Sequence, residues 1–265
     1  MLPTKQFELR RKVAMLNMSP EKDVARTERA ERRYMICSTP RSGSTLLADL
    51  LQGTGLAGVP MEYFNDVNME AHCRHRGVAQ FEIHRYLADL DARRTTPNHV
   101  FGMKAHYGQI LHAFKGSKAG SVDRFLRSYD SFIVIERRDK LGQAVSYFRA
   151  LRTGRWTSQH AAMADEQEIK LTFDATGITS ALHAILSTEA AWKEALWKLG
   201  IRPHVVVYED LAANQGPVLE GVLSAIGITE RNFTLPAPRI ERQRDTINAD
   251  LAKAYIDFLS QARAR

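Results

Sequence analysis

The run Tyr34-Met-Ile-Cys-Ser-Thr-Pro-Arg-Ser-Gly-Ser-Thr-Leu-Leu-Ala-Asp-Leu-Leu51 constrains the fold more than any other stretch of the chain. It opens with Tyr34 to Cys37, apolar residues that read as a short buried strand. It turns through Pro40 and Gly43 and continues with Leu46, Leu47, Leu50 and Leu51, spaced to share one face of a helix. Ser44 or Thr45 is placed to cap that helix. A strand, a turn of small residues and a helix N-terminus gather backbone N–H groups, and the helix dipole adds partial positive charge. Arg41 and the hydroxyls of Ser42, Ser44 and Thr45, around Gly43, add side-chain donors. A phosphate-like group is expected over residues 39–45. The nucleotide-triphosphatase loop G-x-x-x-x-G-K-[ST] is not present, because no glycine precedes the turn and no lysine precedes Ser44.

The pattern repeats downstream. Val100-Phe-Gly-Met-Lys-Ala-His106 reads as a strand, and its alternation puts Lys104 and His106 on one face. Ser131 to Glu136 is a buried-type strand that runs into Arg137-Arg-Asp-Lys140 and then a helix carrying Leu141, Ala144, Val145, Phe148 and Leu151. His204 to Leu211 reads as another buried strand with Tyr208, Glu209 and Asp210 at its end. Between them, residues 69–94 carry apolar positions at helical spacing, and Gly116 to Val122 reads as a surface loop. Ile178 to Leu199 reads as a long amphipathic helix with Trp192 and Trp197 in the core, and a last helix covers about Ala249 to Ala264.

Strands alternating with helices predict an α/β fold in three layers, a P-loop-like central parallel sheet with helices on both faces. Ligands of such sheets lie at the carboxyl ends of the strands. Residues 39–45, Lys104 with His106, Arg137 onward, and Tyr208 to Asp210 all fall there, so one shared cleft is expected.

With 265 residues, 44% of them hydrophobic, the chain can build one large domain. Residues 1–33 are polar, basic and rich in helix formers, and read as a helical extension outside a single domain at 34–265. No apolar run approaches membrane-spanning length, and the N-terminus lacks the apolar core of a signal peptide. The only cysteines are Cys37 and Cys73, which makes a reducing cytoplasm the expected home. The net charge of +7 fits a polyanionic nucleotide as well as nucleic acid or an anionic membrane. No basic-aromatic interleaving of the kind that stacks on single strands is present, so nucleic acid is not expected. His72-Cys73-His75 has no second pair at a zinc-finger distance, and no metal site is expected.

The wording Thr39-Pro-Arg-Ser-Gly-Ser-Thr45 resembles the phosphosulfate loop of sulfotransferases that use 3′-phosphoadenosine-5′-phosphosulfate (PAPS), and most nearly the bacterial family of the mycobacterial trehalose sulfotransferase. The resemblance runs from residue 34 to about 250. Its landmarks recur in order: Pro40 to Leu47, Gly58-Val-Pro-Met-Glu-Tyr-Phe64, Phe101-Gly-Met-Lys104, Arg137 followed by Gln143-Ala-Val-Ser146, Arg149-Ala150, Thr153 with Trp156, and Glu241-Arg-Gln243. It implies PAPS as donor, no metal, and a hydroxyl of a carbohydrate or glycolipid as acceptor. The loop from Arg41 to Thr45 would hold the 5′-phosphosulfate, and Arg137 with Ser146 the 3′-phosphate, Arg138 being the alternative cation. Tyr208 resembles a tyrosine near the adenine, and Arg242 and Gln243 resemble a cofactor clamp. Glu62 matches the carboxylate proposed as base. Lys104-Ala-His106, however, has the Lys-x-His spacing of the eukaryotic cytosolic sulfotransferases, where the histidine is the base.

Sulfuryl transfer to an alcohol needs a base for the hydroxyl and cations for the charge that grows on the leaving phosphate. Arg41, Lys104 and the loop N–H groups can supply the second. For the first, apolar neighbours Tyr63 and Phe64 are expected to raise the pKa of Glu62 and make it a better base, whereas His106, with an unperturbed pKa of about 6.5, needs no such help. Glu62 is favoured because its segment Gly58 to Phe64 matches the closer family, with His106 orienting the acceptor, and the choice between the two stays open. The acceptor side is expected to be lined by residues 65–98 and 154–177. A nucleotide-dependent phosphotransferase remains the runner-up, with Val205 to Asp210 imitating its metal-binding strand end, and a noncatalytic anion-binding protein stands third. A membrane-surface contact through the basic N-terminus and a homodimer stay open.

Overall fold

In the structure, a computed structural model that describes residues 4–24, 29–163, 171–230, 233–237 and 246–263, four strands pair in parallel in the order β2-β1-β3-β4. The elements follow as α1 (Thr4–Asn17), a 3-10 turn at Pro20–Lys22, β1 (Arg32–Cys37), α2 (Ser44–Gly53), α3 (Asp66–Arg76), α4 (Ile83–Arg94) and β2 (Val100–Ala105). Then come α5 (Tyr107–Ala113), α6 (Ser121–Leu126), β3 (Ser131–Glu136), α7 (Lys140–Thr153), α8 (Ser158–Met163) and α9 (Ala175–Lys198). The chain closes with β4 (His204–Val207), α10 (Tyr208–Ala213), α11 (Gln215–Ala225) and α12 (Thr246–Arg263).

Alternation along the strands sorts the core into layers. Met35 and Cys37 of β1, Phe101 and Met103 of β2 and Phe132 of β3 pack with Phe64, Phe125 and Trp192 on one face. Tyr34, Ile36, Ile133 and Ile135 pack on the other with Leu47, Leu50 and Leu51 of α2 and Leu219 and Leu223 of α11. Helices therefore cover both faces, as expected of a fully apolar parallel sheet. A third cluster joins α7, α9 and α12 around Phe148, Ile185 and Tyr255. Among the described residues no helix is long and apolar enough to cross a membrane.

The strand order fixes where a ligand can lie. The chain leaves β1 toward β2 on one side and builds β3 and β4 on the other. The connections thus part between β1 and β3, and a crevice opens outside their carboxyl ends. The loops after β1 and after β3 flank it.

Several elements differ from the sequence reading. The last strand stops at Val207, and Tyr208, Glu209 and Asp210 form the first turn of α10, where acidic side chains suit the dipole. Residues 69–94 hold two helices, separated where Gly77 adopts a left-handed φ of 63° after Arg76. Ser121 and Val122 already belong to α6. Trp192 is 2% exposed and donates its indole N–H to the Ser38 carbonyl at 3.2 Å, but Trp197 is 79% exposed. Five residues along a helix turn a side chain by roughly 140°, so both tryptophans cannot face one core. Trp192→Ala is accordingly expected to cost about 3–5 kcal/mol. Trp197→Ala should change stability by no more than about 0.5 kcal/mol. Urea unfolding of the two variants checks this; equal losses would contradict the assignment.

Candidate active site

The loop after β1 is shaped by its backbone. Arg41 (φ 61°) and Gly43 (φ 91°) are both left-handed, a conformation that turns successive N–H groups toward one side. Gly43, not Ser44 or Thr45, occupies the cap position of α2, and it offers no side-chain bond. The expected hydroxyl cap is thus replaced by a glycine that redirects the chain, and the two hydroxyls sit inside the first turn. Gln143 of α7 pins the loop from behind, donating to Thr39 Oγ1 at 2.9 Å and to the Pro40 carbonyl at 2.8 Å.

Arg41 is held in its strained backbone by its own side chain. Its Nε donates to Ser146 Oγ at 2.9 Å and its Nη1 to the Trp156 carbonyl. Burial, and then repulsion from Arg137 and Arg149 against an opposing pull from Tyr208, push its pKa down to about 10. It stays charged at neutral pH. Arg137 lies over the Tyr208 ring at 5.1 Å and is 13% exposed, whereas Arg138 turns outward into a bidentate pair with Asp210 at 2.9 and 2.6 Å. Arg137, not Arg138, therefore faces the cleft. The Ser42 Oγ is buried without a hydrogen-bond partner, and the Arg137 Nε, also without a hydrogen bond, lies 3.8 Å from Glu209 Oε1. Guanidiniums crowded around a left-handed loop, with donors left over, fit a polyanion.

Glu209 is engaged locally, accepting the backbone N–H of Arg138 at 3.0 Å and of Asp139 at 3.3 Å. With Asp210 paired to Arg138, these two carboxylates brace the β3–α7 turn rather than face a ligand.

Across the loop lies a second cluster. Gly58, with φ 67° and space for no Cβ against the Gly102 N–H, lets the chain run close beside β2. The Lys104 N–H then donates to the Met61 carbonyl at 2.9 Å, which sets Glu62 next to Lys104. Lys104 Nζ lies 3.0 Å from Glu62 Oε1 and donates to Thr45 Oγ1 at 2.9 Å. It bridges the anion loop and the carboxylate, and its side chain is only 6% exposed. His106 follows the end of β2. Its Nδ1 lies 2.9 Å from the Ser38 carbonyl, an acceptor, so that nitrogen carries the hydrogen. Its Nε2 lies 3.7 Å from Glu62 Oε1. Gln109 donates to Glu62 Oε2 at 3.2 Å, and Asn65 does so at 3.4 Å.

The carboxyl of Glu62 is not raised as expected. Burial acts to raise it, but the charges of Lys104 and His106 and hydrogen bonds from Lys104 and Gln109 outweigh that and hold it well below the usual carboxylate range. Its apolar neighbours point elsewhere: Tyr63 and Phe64 are buried in the core cluster around Met103.

The structure thus brings Arg41, Ser42, Gly43, Ser44, Thr45, Lys104, His106, Glu62, Arg137, Ser146 and Tyr208 to one cleft. Arg242 and Gln243 lie outside the described residues. Gln109 and Asn65, which hold Glu62, are not singled out by the sequence, and Gln143 stands there only as part of a landmark, without its role behind the loop. A glutamine or asparagine near a helix start is ordinarily solvated, and nothing local marks these as buried supports.

The Stf0 sulphotransferase family model matches residues 33–257. The chain is 30% identical over 260 residues to a trehalose 2-sulfotransferase of Mycobacterium tuberculosis, covering 86% of this chain and 95% of that protein. It is 28% identical over 254 residues to a trehalose 2-sulfotransferase of Mycolicibacterium smegmatis, covering 84% and 93%. A crystal structure of a sulfotransferase from Alicyclobacillus acidocaldarius matches with a TM-score of 0.46 and 12% identity, over 87% of this chain and 96% of that one. That last likeness is too loose to carry any statement about residues.

Proposed function

The chain belongs to the Stf0 sulphotransferase family, and from that premise we propose that it moves a sulfuryl group from PAPS to a hydroxyl of a carbohydrate. Trehalose is the first acceptor to test, since the two mycobacterial relatives are trehalose 2-sulfotransferases. The observation that carries the reading is Lys104, which touches the anion loop at Thr45 and the carboxylate of Glu62 at once. A donor held in the loop and a hydroxyl held at Glu62 would meet there.

The residues fit the donor. The loop from Arg41 to Thr45 would take the 5′-phosphosulfate, and Arg137 with Ser146 the 3′-phosphate. Tyr208, whose ring packs against Gly43 and under the Arg137 guanidinium, is the tyrosine that the resemblance puts near the adenine. By the resemblance, Arg242 and Gln243 would serve as the cofactor clamp. When bound, the donor supplies an activated sulfuryl group and a phosphate that gains charge as it leaves. Lys104 and Arg41 stabilise charge at that end of the cleft. Glu62 accepts the proton of the acceptor hydroxyl, and His106 orients that hydroxyl. No metal takes part in this scheme. Both cysteines are free, in keeping with a cytoplasmic location.

Adenosine 3′,5′-bisphosphate should raise the melting temperature more than ADP does at equal concentration. Arg137→Ala should erase much of that difference, because a hydrogen bond to a charged group contributes about 1.5–3 kcal/mol. Equal shifts from the two nucleotides, indifferent to the variant, would overturn the donor assignment. Activity should also survive EDTA, and a strict magnesium requirement would favour a phosphotransferase instead.

A further inference from the structure

The first helix is tied into the cleft. Arg10 of α1 donates to Asn65 Oδ1 at 3.3 Å, and Asn65 in turn donates to Glu62 Oε2. The Arg10 guanidinium also lies over the Trp156 ring, 5.9 Å from its centroid. The Trp156 carbonyl receives Arg41. An unbroken circuit of contacts therefore runs from Glu62 through Asn65, Arg10 and Trp156 to Arg41, joining the carboxylate to the anion loop along one side of the cleft. Gln6 closes the same wall lower down, donating to the Arg152 carbonyl at 2.7 Å against Gly154.

His160 of α8 stands on that wall. It is 9% exposed, and its Nδ1 lies 2.8 Å from Thr157 Oγ1. That hydroxyl also accepts the His160 backbone N–H at 3.3 Å, and we assign its own proton to Nδ1 and the ring hydrogen to Nε2. Burial first, then the positive charges of Arg10 and Arg41 against the opposing pull of Glu62, hold the ring neutral with a pKa near 4. The imidazole is thus within electrostatic reach of the base, the loop arginine and α1 together. The Trp156 Nε1 is buried with no hydrogen-bond partner.

We propose that α1 and residues 153–160 form the acceptor-side wall, where Arg10 and the imidazole of His160 hydrogen-bond the hydroxyls of a saccharide lying beside the Trp156 ring. This assignment rests on the sulfotransferase reading, of which it supplies the acceptor half. The chemistry suits a neutral polyol. Sugar hydroxyls accept hydrogen bonds, and a guanidinium, an indole N–H and an Nε2–H are donors that can supply them. Both residues position the acceptor and take no proton from it.

The test is trehalose affinity, by titration calorimetry, with and without saturating adenosine 3′,5′-bisphosphate. Wild type is compared with Arg10→Met, Arg10→Lys and His160→Gln, and transfer kinetics are run beside the titrations. Arg10→Met and His160→Gln should each raise the trehalose dissociation constant and KM by about ten-fold, the size of one lost hydrogen bond. The melting shift given by the nucleotide should not change, and kcat should fall less than KM rises. Arg10→Lys should recover part of the loss. Unchanged trehalose affinity in Arg10→Met and His160→Gln overturns the proposal. So does a wild type that binds the nucleotide but no trehalose. The opposite pattern, trehalose bound and weakened by the variants while the nucleotide is not bound, leaves the wall standing and overturns the donor assignment.

Discussion

Glu62→Gln is expected to lower turnover by about 100- to 10,000-fold, the usual worth of a general base, while donor binding stays intact. The carboxylate is well placed but not well tuned by itself. Lys104, His106, Gln109 and Asn65 all surround it, and a carboxylate held so low binds a proton weakly. Lys104 explains how it gains strength. The same ammonium touches Thr45, so charge growing in the anion loop competes with Glu62 for it. In the proposed scheme, Lys104 turning to that charge would withdraw the main cause of the depression from Glu62 and raise its basicity when the proton must be taken.

The sign of the pH dependence follows. A depressed carboxylate stays ionised well below its unperturbed value of about 4.3, so kcat should be flat from about pH 8 down to about pH 5. An imidazole base would instead give an acidic limb between about pH 5.5 and 7.5. The depression also makes Glu62 a stabiliser of the fold above the unfolded value, a contribution lost as the pH falls through the lower folded one. His106→Asn should cost less turnover and act mainly on the acceptor KM. If His106→Asn is nearly inactive and Glu62→Gln mild, the base is His106.

Gly43→Ala should weaken adenosine 3′,5′-bisphosphate by about 100-fold, with little change in the buried core. A left-handed φ costs a residue with a Cβ about 1–2 kcal/mol. Here φ is 91°, and the added carbon would fall 2.2 Å from the Tyr208 ring. Either the loop straightens and its N–H groups diverge, or Tyr208 shifts and its contact with Arg137 breaks. Both routes damage the donor site, and together they exceed the strain of the backbone alone. Near wild-type nucleotide affinity in this variant, measured by calorimetry, would show that the loop does not hold the donor.

What the sequence made legible follows from range. The strands Val100–Ala105 and Ser131–Glu136 and the loop at 39–45 are local patterns, and apolar runs that end in Gly, Ser or charge mark them. Their convergence followed from parallel pairing, since the carboxyl ends of such strands lie at one edge. The long-range features were hidden. The state of Glu62 depends on Lys104, 42 positions away, and on Gln109, so burial beside Tyr63 and Phe64 predicted the wrong direction. Trp197 looked like core because α9 is long and apolar, but only the phase of the helix against Ser38 and Tyr107 decides which tryptophan is buried. The tie between Arg10 and Asn65 spans 55 positions, and no local pattern could announce it.

The most direct test of the account is transfer of radiolabelled sulfate from PAPS to trehalose by the purified chain, without added metal, with the product identified by mass spectrometry. The account predicts a labelled sugar heavier by one sulfuryl group, formed at a rate that collapses in Glu62→Gln. Label that stays on the nucleotide or appears only as free sulfate across trehalose and a panel of other sugars, or a labelled product formed equally well by Glu62→Gln, would contradict it.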